Sequence, residues 1–250
     1  MEAPQYDILA DVEDSHWWWR GRREILSEVI KQYLPAVPAG GLRVAEVGCG
    51  SGGNLSMLAR YGDVLGAEPD PGALEHLRRK HGDTFQTLTH RIPEPLPQPV
   101  HVLCLFDVLE HVPDDRGAMA WAAAQLVDTG IVVVTVPAFR FLWTEQDDAV
   151  HHFRRYTRAG LAAVLPATLE AVHLTYFNTV LFPPILAVRS VMRLLPRGNR
   201  PPRSHLGEPP GPINRLLYRL FRAERHVVPT RRLPVGVSVL LVGRRRIPPA

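Results

Sequence analysis

The apolar positions of the chain fall into short runs that are separated by amphipathic stretches. The runs are four to six residues long, which is typical of strands buried on both faces, and the stretches between them repeat apolar residues every three or four positions, as helices do. This alternation predicts a parallel sheet with helices on both faces. The predicted strands are 43–47, 64–67, 85–89, 101–106 and 131–136, and the predicted helices are 11–34 (capped by Asp14 or Ser15), 53–61, 71–80 and 116–127.

The pattern changes after the fifth strand. A helix is predicted at 158–165, and two further apolar runs at 171–177 and 235–243 predict strands that pair antiparallel at one edge of the sheet. The residues between those two strands form an insertion at 181–225. Its proline-rich stretch at 196–212 predicts a loop between two helices.

The first strand runs directly into a turn that has glycine at every second position. Gly48, Gly50 and Gly52 lack the Cβ atoms that would block a ligand from the main chain, and they tolerate positive φ. Their spacing differs from the dinucleotide fingerprint and from the P-loop, both of which bind phosphates. Because Glu46 would repel a phosphate but hold a cation, the turn predicts a cofactor that carries an ammonium group. Glu68, at the end of the second strand, lies where a ribose-binding acid is expected.

Three motifs in register resemble those of the class I S-adenosylmethionine-dependent methyltransferases. They are Glu46-x-Gly48-x-Gly50-x-Gly52, then Glu68, then Asp107-Val108-Leu109-Glu110-His111. The resemblance covers at least residues 40–165 and implies an α/β, Rossmann-like, doubly wound sheet of seven mostly parallel strands with an antiparallel last strand. It also implies S-adenosylmethionine as the methyl donor, with its amino-acid part near the glycine turn and its ribose on Glu68.

The resemblance suggests further cofactor contacts. Many relatives have an acid in the turn after the third strand, where this chain has none before Glu94, so His90 or Arg91 is the expected neighbour of adenine. Pro69 would pack on the purine. The residues expected to bind the cofactor are Trp18, Arg22, Glu46, Gly48, Cys49, Gly50, Gly52, Asn54, Glu68, Pro69, His90, Arg91, Phe106 and Asp107.

The N-terminal helix carries three consecutive tryptophans at 17–19. Successive helical residues point about 100° apart, so the three rings cannot share one core and at least one is expected to cover the site. An aromatic face would stabilise a sulfonium charge, and Arg20, Arg22 or Arg23 would reach the cofactor carboxylate or an anionic acceptor. The alternative is a helix packed on the sheet, with its arginines extended to solvent.

The acceptor side of the site is expected after the fourth and fifth strands, because open α/β sheets bind ligands beyond the carboxyl ends of their strands. His111 follows the fourth strand and His152 follows the fifth, so the two rings are expected to face each other. An imidazole titrates near neutrality and would remove the proton of an acceptor hydroxyl. His111 and His152 are therefore the predicted catalytic residues. The alternative for His111 is a helix-start residue that bonds only backbone.

The residues of this region also resemble a metal-binding motif. In the ubiquinone-pathway O-methyltransferases and the small-RNA 2′-O-methyltransferases, an acid-x-x-Glu-His motif and a later histidine hold a divalent metal. The matching places here hold Asp107, Glu110, His111 and His152, with Asp107 where those families have Glu. Two carboxylates and two imidazoles suit Mg, Mn or Zn. Many relatives with the same Glu-His pair use no metal, so metal-free acid–base catalysis is favoured.

Composition agrees with one enzyme domain. A chain of 250 residues with 46% hydrophobic content is long enough for one α/β core with insertions. The expected parts are a helical cap at 1–38, a cofactor-binding core at 39–180, a helical and proline-rich insertion at 181–233, and a final strand with a basic tail at 234–250. The chain shows no leader pattern, no long apolar span and no disulfide framework, which favours the cytoplasm.

Charge adds a question about partners. The formal net charge is +4, but the basic residues are mostly late arginines beside prolines, a pattern typical of solvated loops, so a nucleic-acid partner is not favoured. Arg189, Arg193 and Arg197 would share one helix face after an apolar stretch. That helix is either packed on the sheet edge, or a lid or membrane-surface contact that admits a greasy acceptor.

The expected function is methyl transfer to a small-molecule or lipid-like acceptor, with a hydroxyl favoured. The alternatives are C- or N-methylation of a natural-product intermediate, and methylation of RNA. An enzyme that modifies nucleic-acid amines would show a Pro-Pro-aromatic turn where this chain has residues 107–111. A non-catalytic cofactor-binding protein is the least favoured class, because it would not need two histidines on the acceptor side.

Overall fold

The structure, a computed structural model, describes residues 12–194 and 209–246. Its strands are β1 Arg43–Val47, β2 Asp63–Glu68, β3 Gln86–Thr89, β4 Val100–Phe106, β5 Leu126–Pro137, β6 Leu169–Phe177 and β7 Ser238–Arg245. They form one sheet in the order β3-β2-β1-β4-β5-β7-β6. Neighbours from β3 to β5 are parallel, whereas β7 lies antiparallel to both β5 and β6. The predicted Rossmann-like doubly wound sheet with an antiparallel last strand is confirmed.

Helices cover both faces of this sheet. They are α1 Trp17–Tyr33, α2 Leu55–Leu58, α3 Pro71–His81, α4 Asp115–Ala124, α5 Glu145–Ala149, α6 Arg158–Ala162, α7 Phe182–Leu194 and α8 Gly211–Ala223. Alternate residues of β4 enter different cores: Val102 and Cys104 pack with α1, α3 and α8, whereas Leu103 and Leu105 pack with α4 and α6. Because every residue of β4 is buried, this strand is apolar at each position except His101 and shows no alternating pattern.

Several predicted boundaries differ from the observed ones. The helix predicted at 53–61 is only the four residues of α2, because the glycine turn continues as irregular backbone up to Asn54. The cap of α1 is His16, whose Nδ1 accepts a hydrogen bond from the Trp18 amide at 3.2 Å, so neither predicted cap is correct. Asp14 instead pairs with Lys80 at 2.6 Å, and the Ser15 hydroxyl donates to a backbone carbonyl.

The predicted helical insertion before the last strand is confirmed by α7 and α8. Glu224, directly after α8, accepts hydrogen bonds from the backbone amides of residues 178–180 at 2.7 to 2.8 Å and thereby ties the insertion to the end of β6. The described residues do not include most of the predicted loop at 196–212, which contains Arg197. They also do not include the side chain of Arg193. None of the helices within the described ranges has the length and apolar character to cross a membrane.

Candidate functional site

A cavity of about 740 Å³ lies at the carboxyl ends of β1, β2, β4 and β5, and extends from the glycine turn to the two histidines. Trp18, Trp19 and Arg22 of α1 form part of its wall, whereas Trp17 packs edge-on against Phe221 at 5.7 Å. Apart from Gly52 and Arg20, every residue proposed from sequence for cofactor binding, catalysis or metal binding lines this one cavity.

The glycine turn has backbone conformations that other residues adopt rarely. Gly48, Gly50 and Gly52 have φ values of 75°, 53° and 83°. A Cβ on Gly48 would lie 2.6 Å from Cγ2 of Val108, so the turn and the loop after β4 meet closely. Gly52 instead packs on Leu77, since a Cβ on Gly52 would lie 2.8 Å from Cγ of Leu77. This packing explains why Gly52 does not line the cavity.

Glu46 is a buried carboxyl group that is only half satisfied. Its Oε1 accepts a hydrogen bond from Asn54 Nδ2 at 2.7 Å, and its Oε2 has no hydrogen-bond partner in the described part of the chain. Burial raises the pKa of Glu46 to about 8, and the Asn54 bond only partly opposes this shift. Such an acceptor fits a cationic ammonium group, which would satisfy Oε2 and favour the ionised carboxylate.

Glu68 lies at the end of β2, on the other side of the turn. Its Oε2 accepts from the Gly50 amide at 2.9 Å, and its Oε1 accepts from the Asp70 amide at 3.2 Å. Burial raises the pKa of Glu68 despite these two bonds. Because each carboxylate oxygen has a further lone pair, Glu68 fits a pair of ribose hydroxyls while it keeps the turn in shape.

The turn after β3 forms the next part of the wall. The His90 amide donates to the Glu68 carbonyl at 3.1 Å, and the His90 ring places Nε2 2.7 Å from the Glu94 carbonyl oxygen. The ring therefore orders its own loop, and none of the described residues bonds its Nδ1. Pro69 and Arg91 line the cavity beside it.

Arg22 links α1 to the end of β4. Its Nη2 lies 2.9 Å from Oδ2 of Asp107 and donates to Oγ1 of Thr135 at 2.5 Å, and its guanidinium lies 4.8 Å from the Trp18 ring. Both of these polar contacts are made by Nη2, and the buried Nε of Arg22 has no hydrogen-bond partner among the described residues. Arg20 stacks on Tyr218 and does not line the cavity, whereas Arg23 does.

The structure brings together three of the four proposed metal ligands. The ring centroids of His111 and His152 are 4.6 Å apart, and Nε2 of His152 lies 3.9 Å from Oε1 of Glu110. Potential ligand atoms of the three residues all lie within 4.8 Å of one another. Asp107 is not part of this group, because its carboxylate is turned towards Arg22 and Thr135.

Electrostatics around this group favour neutral side chains. Both carboxyl oxygens of Glu110 are buried, and within residues 12–194 and 209–246 neither has a hydrogen-bond partner. Burial together with nearby Asp107 raises the pKa of Glu110 well above its usual range. The His111 residue is exposed on the cavity wall, but partial desolvation of its ring by the surrounding protein lowers its pKa, and the charge of His152 lowers the pKa further. Glu110 thus tends to hold its proton at neutral pH while His111 tends to remain unprotonated.

Sequence reasoning missed Asp147, which orients His152. Nδ1 of His152 lies 2.8 Å from Oδ1 of Asp147, and Arg155 donates two bonds to the same carboxylate at 2.7 and 2.9 Å. These donors hold the pKa of Asp147 well below its usual range. Since the charged carboxylate accepts from Nδ1, the free lone pair of His152 is on Nε2. The capping pattern Thr144-x-x-Asp147 at the start of α5 was the available signal.

Comparisons with known proteins agree with the fold. The chain is similar to a structure titled as a complex of the Haloferax volcanii Trm112 methyltransferase activator with a protein described as a methyltransferase (15% identity, TM-score 0.60, covering 99% of this chain and 96% of the other). It is also similar to geranyl diphosphate C-methyltransferase from Streptomyces coelicolor A3(2) (13%, TM-score 0.56, 88% and 75%) and to the [4+2]-cyclase SpnF (17%, TM-score 0.55, 90% and 81%).

These identities are low, so the solved structures show a shared fold and not a shared reaction. No curated protein matches the sequence. A family model described as a methyltransferase domain matches residues 18–173, which is more than half of the chain and includes the glycine turn, Glu68 and both histidines. The chain therefore belongs to the methyltransferase domain family and is an S-adenosylmethionine-dependent methyltransferase.

Proposed function

We propose that this methyltransferase acts on a hydroxyl group of a small-molecule or lipid-like acceptor. The observation that carries the proposal is the Asp147–His152 pair, which presents Nε2 of His152 to the cavity beside His111. A base is needed when a hydroxyl is methylated, because the alcohol proton must leave as the new bond forms. The apolar side chains on this side of the cavity suit a largely apolar acceptor.

Residues at the other end of the cavity suit the cofactor. When bound, S-adenosylmethionine supplies an electrophilic methyl group on a positively charged sulfur. Glu46 would take the ammonium group on its unpartnered Oε2, and Glu68 would take the ribose hydroxyls. The ring of Trp18, which lies on the cavity wall, would stabilise the positive charge, a contribution of about 0.5 to 2 kcal/mol.

The residues of the acceptor side then move one proton. Nε2 of His152 would accept the proton that leaves the acceptor hydroxyl when its oxygen is methylated. Asp147 stays ionised and stabilises the resulting imidazolium, and Arg155 holds Asp147 in place. Positioning the two reactants in line supplies much of the remaining acceleration.

A second candidate is metal-assisted O-methylation at the same place. The observation in its favour is Glu110, whose two partnerless oxygens lie beside two imidazoles. A divalent ion bound by Glu110, His111 and His152 would orient the acceptor oxygen and lower the pKa of its hydroxyl. The donor set fits such an ion, although the site lacks the fourth proposed ligand, Asp107.

Turnover of S-adenosylmethionine with a panel of phenols, enols and prenylated alcohols tests both candidates. The base proposal predicts that His152→Ala abolishes product while the product cofactor S-adenosylhomocysteine still binds, and that exhaustive chelation leaves the wild-type rate unchanged. A rate that chelation abolishes and added Mg or Mn restores would favour the metal instead. Methylated amine or carbon products that survive His152→Ala would overturn O-methylation by this base.

We also propose that the protein works in the cytoplasm, at or near a membrane surface when its acceptor is lipid-like. Cys49 and Cys104 support a reducing compartment, because both are free and buried. A nucleic-acid acceptor is not favoured. Fractionation of cells into cytosol and membranes, followed by immunodetection of the chain, tests this location.

A further inference from the structure

The outer face of α8 carries an apolar stripe that the described protein leaves uncovered. Ile213, Leu216 and Leu220 are exposed by 51%, 57% and 39%, and their spacing of three and four residues places them on one side of the helix. We call these three residues the α8 stripe. Three aliphatic side chains on one exposed helical face are more than the scattered apolar residues of an ordinary surface.

The opposite side of α8 explains why the stripe points outwards. Phe221 is fully buried and stacks on Phe177, and the buried Asn214 bonds the backbone of residues 15 and 17. Tyr218 and Arg222 bond Glu24 of α1. The helix is thus fixed by its inner face and one flank, so the stripe cannot turn inwards without breaking these contacts.

Arginines lie next to the stripe. Arg215 and Arg219 are exposed on the same helix, and neither makes an ion pair with any residue in the described ranges. The sequence from 189 to 222 contains eight arginines and a single acidic residue, Glu208. A helix with aliphatic residues on one side and unpaired arginines beside them matches a helix that lies at the surface of an anionic membrane.

We infer that α8 docks on the surface of an anionic lipid bilayer, with the stripe inserted among the acyl chains and Arg215 and Arg219 at the phosphates. A protein partner fits the stripe less well, since its exposed residues include none of the aromatic anchors that dominate protein interfaces. Single-stranded RNA would use the arginines and aromatic rings but leave an aliphatic stripe without a partner. The inference stands apart from the acceptor proposed above.

Vesicle sedimentation with the full chain tests the inference. The vesicles are phosphatidylcholine, alone or with a third of the lipid replaced by phosphatidylglycerol. We expect binding to the anionic vesicles that weakens as salt is raised. Arg219→Glu should weaken it by about fivefold or more, as expected for an arginine near a charged membrane, and Leu216→Gln should weaken it also.

Matched controls separate the stripe from general charge and hydrophobicity. Arg116→Glu changes an exposed arginine of α4, on the opposite face of the sheet, and Val37→Gln changes a more exposed apolar residue; both should leave vesicle binding unchanged. Unchanged affinity for S-adenosylhomocysteine shows that each variant is folded. Absence of binding to anionic vesicles, equal loss in the controls, or dimers that Leu216→Gln dissociates would each overturn the inference.

Discussion

At the scale of single residues, two of the buried carboxyl groups of the site, Asp147 and Glu46, have surroundings that favour different protonation states. Asp147 accepts bonds from His152, Arg155 and Thr144, so it remains ionised. Glu46 has one neutral donor and an orphaned oxygen, so burial dominates and its pKa rises to about 8. Asp147 is therefore suited to orient the proposed base His152, whereas Glu46 is suited to the cationic group proposed above.

Replacing Glu46 by Gln should stabilise the cofactor-free protein while weakening cofactor binding. The folded state holds the Glu46 proton more tightly than the unfolded state does, because the folded pKa of Glu46 is about 8 and the unfolded pKa is 4.5. The stability that Glu46 contributes is therefore fully present below pH 4.5 and is lost as the pH rises through about 8. Glu46→Gln removes this loss, so its melting temperature should exceed that of the wild type most clearly above pH 8. We expect a gain of roughly 1 to 3 kcal/mol.

Thermal unfolding between pH 5 and pH 9 measures the first effect, and calorimetric titration with S-adenosylhomocysteine measures the second. Glu75→Gln, which changes an exposed acid of α3, is the matched control and should alter neither quantity. Tighter cofactor binding by Glu46→Gln would contradict the assignment of Glu46 to the ammonium group.

Asp147→Asn should lower turnover by about 100-fold with little change in the affinity for S-adenosylhomocysteine. An amide can present Nδ2 to His152, which would leave the wrong ring nitrogen protonated. Steady-state rates with any accepted hydroxyl substrate provide the measurement. Asp148→Asn is the control, because the Asp148 carboxylate is exposed and, among the described residues, accepts a side-chain bond only from Trp143. Equal rates for Asp147→Asn and the wild type would remove Asp147 from the mechanism.

At the scale of elements, the glycine turn and the loop after β4 must fit together. In Gly48→Ala, the alanine must adopt a positive φ, and its Cβ would lie 2.6 Å from Cγ2 of Val108. In Gly41→Ala, the alanine must adopt a similar φ of 78°, but its Cβ would have no atom within 4 Å. We therefore expect Gly48→Ala to destabilise the fold by about 1 to 3 kcal/mol more than Gly41→Ala and to weaken cofactor binding. Urea unfolding of both variants measures the difference.

Val108→Ala should partly rescue Gly48→Ala, because it removes the Cγ2 atom that the new methyl group would meet. If both glycine variants lose the same stability and no rescue occurs, the close contact between the two loops is not what requires glycine at position 48.

The sequence predicted strands better than helix ends. The first strand has the predicted bounds, and the fourth begins one residue earlier, because buried parallel strands are continuous apolar runs. Helix α5 was missed because its five residues are mostly polar and too short to show a helical period. The cap of α1 was assigned wrongly because Lys80, distant in sequence, takes the Asp14 carboxylate.

The same distinction holds for the site. The proximity of His111 and His152 was predictable, because both follow adjacent parallel strands. The pairing of Asp107 with Arg22 was not, because α1 reaches the end of β4 across the sheet and no local pattern records that contact.

At the scale of the whole molecule, α1 covers part of the cavity that lies at the carboxyl ends of the strands. Arg22 binds Asp107 across 85 positions of sequence, and Glu13, just before α1, bonds Ser51 of the glycine turn at 3.2 Å and Lys80 at 2.7 Å. The insertion supports α1 from outside through α8. Cofactor binding and the docking of α1 should therefore be coupled.

Arg22→Met should cost about 2 kcal/mol of stability and weaken S-adenosylhomocysteine binding, because it leaves Asp107 without its cation and loosens α1. Arg20→Met, whose guanidinium stacks on Tyr218 away from the cavity, is the matched control. Urea unfolding with and without the ligand measures both effects. A variant that loses stability but binds the ligand as tightly as the wild type would show that α1 does not close the cofactor site.

The most direct test of the central claim is calorimetric titration of S-adenosylmethionine and S-adenosylhomocysteine into the wild type, Glu68→Gln and His152→Ala. The cavity as described predicts binding by the wild type, strong loss in Glu68→Gln, and retained binding in His152→Ala, because the two residues serve opposite ends of one site. A folded wild type that binds neither compound, or a Glu68→Gln variant that binds both normally, would contradict the account.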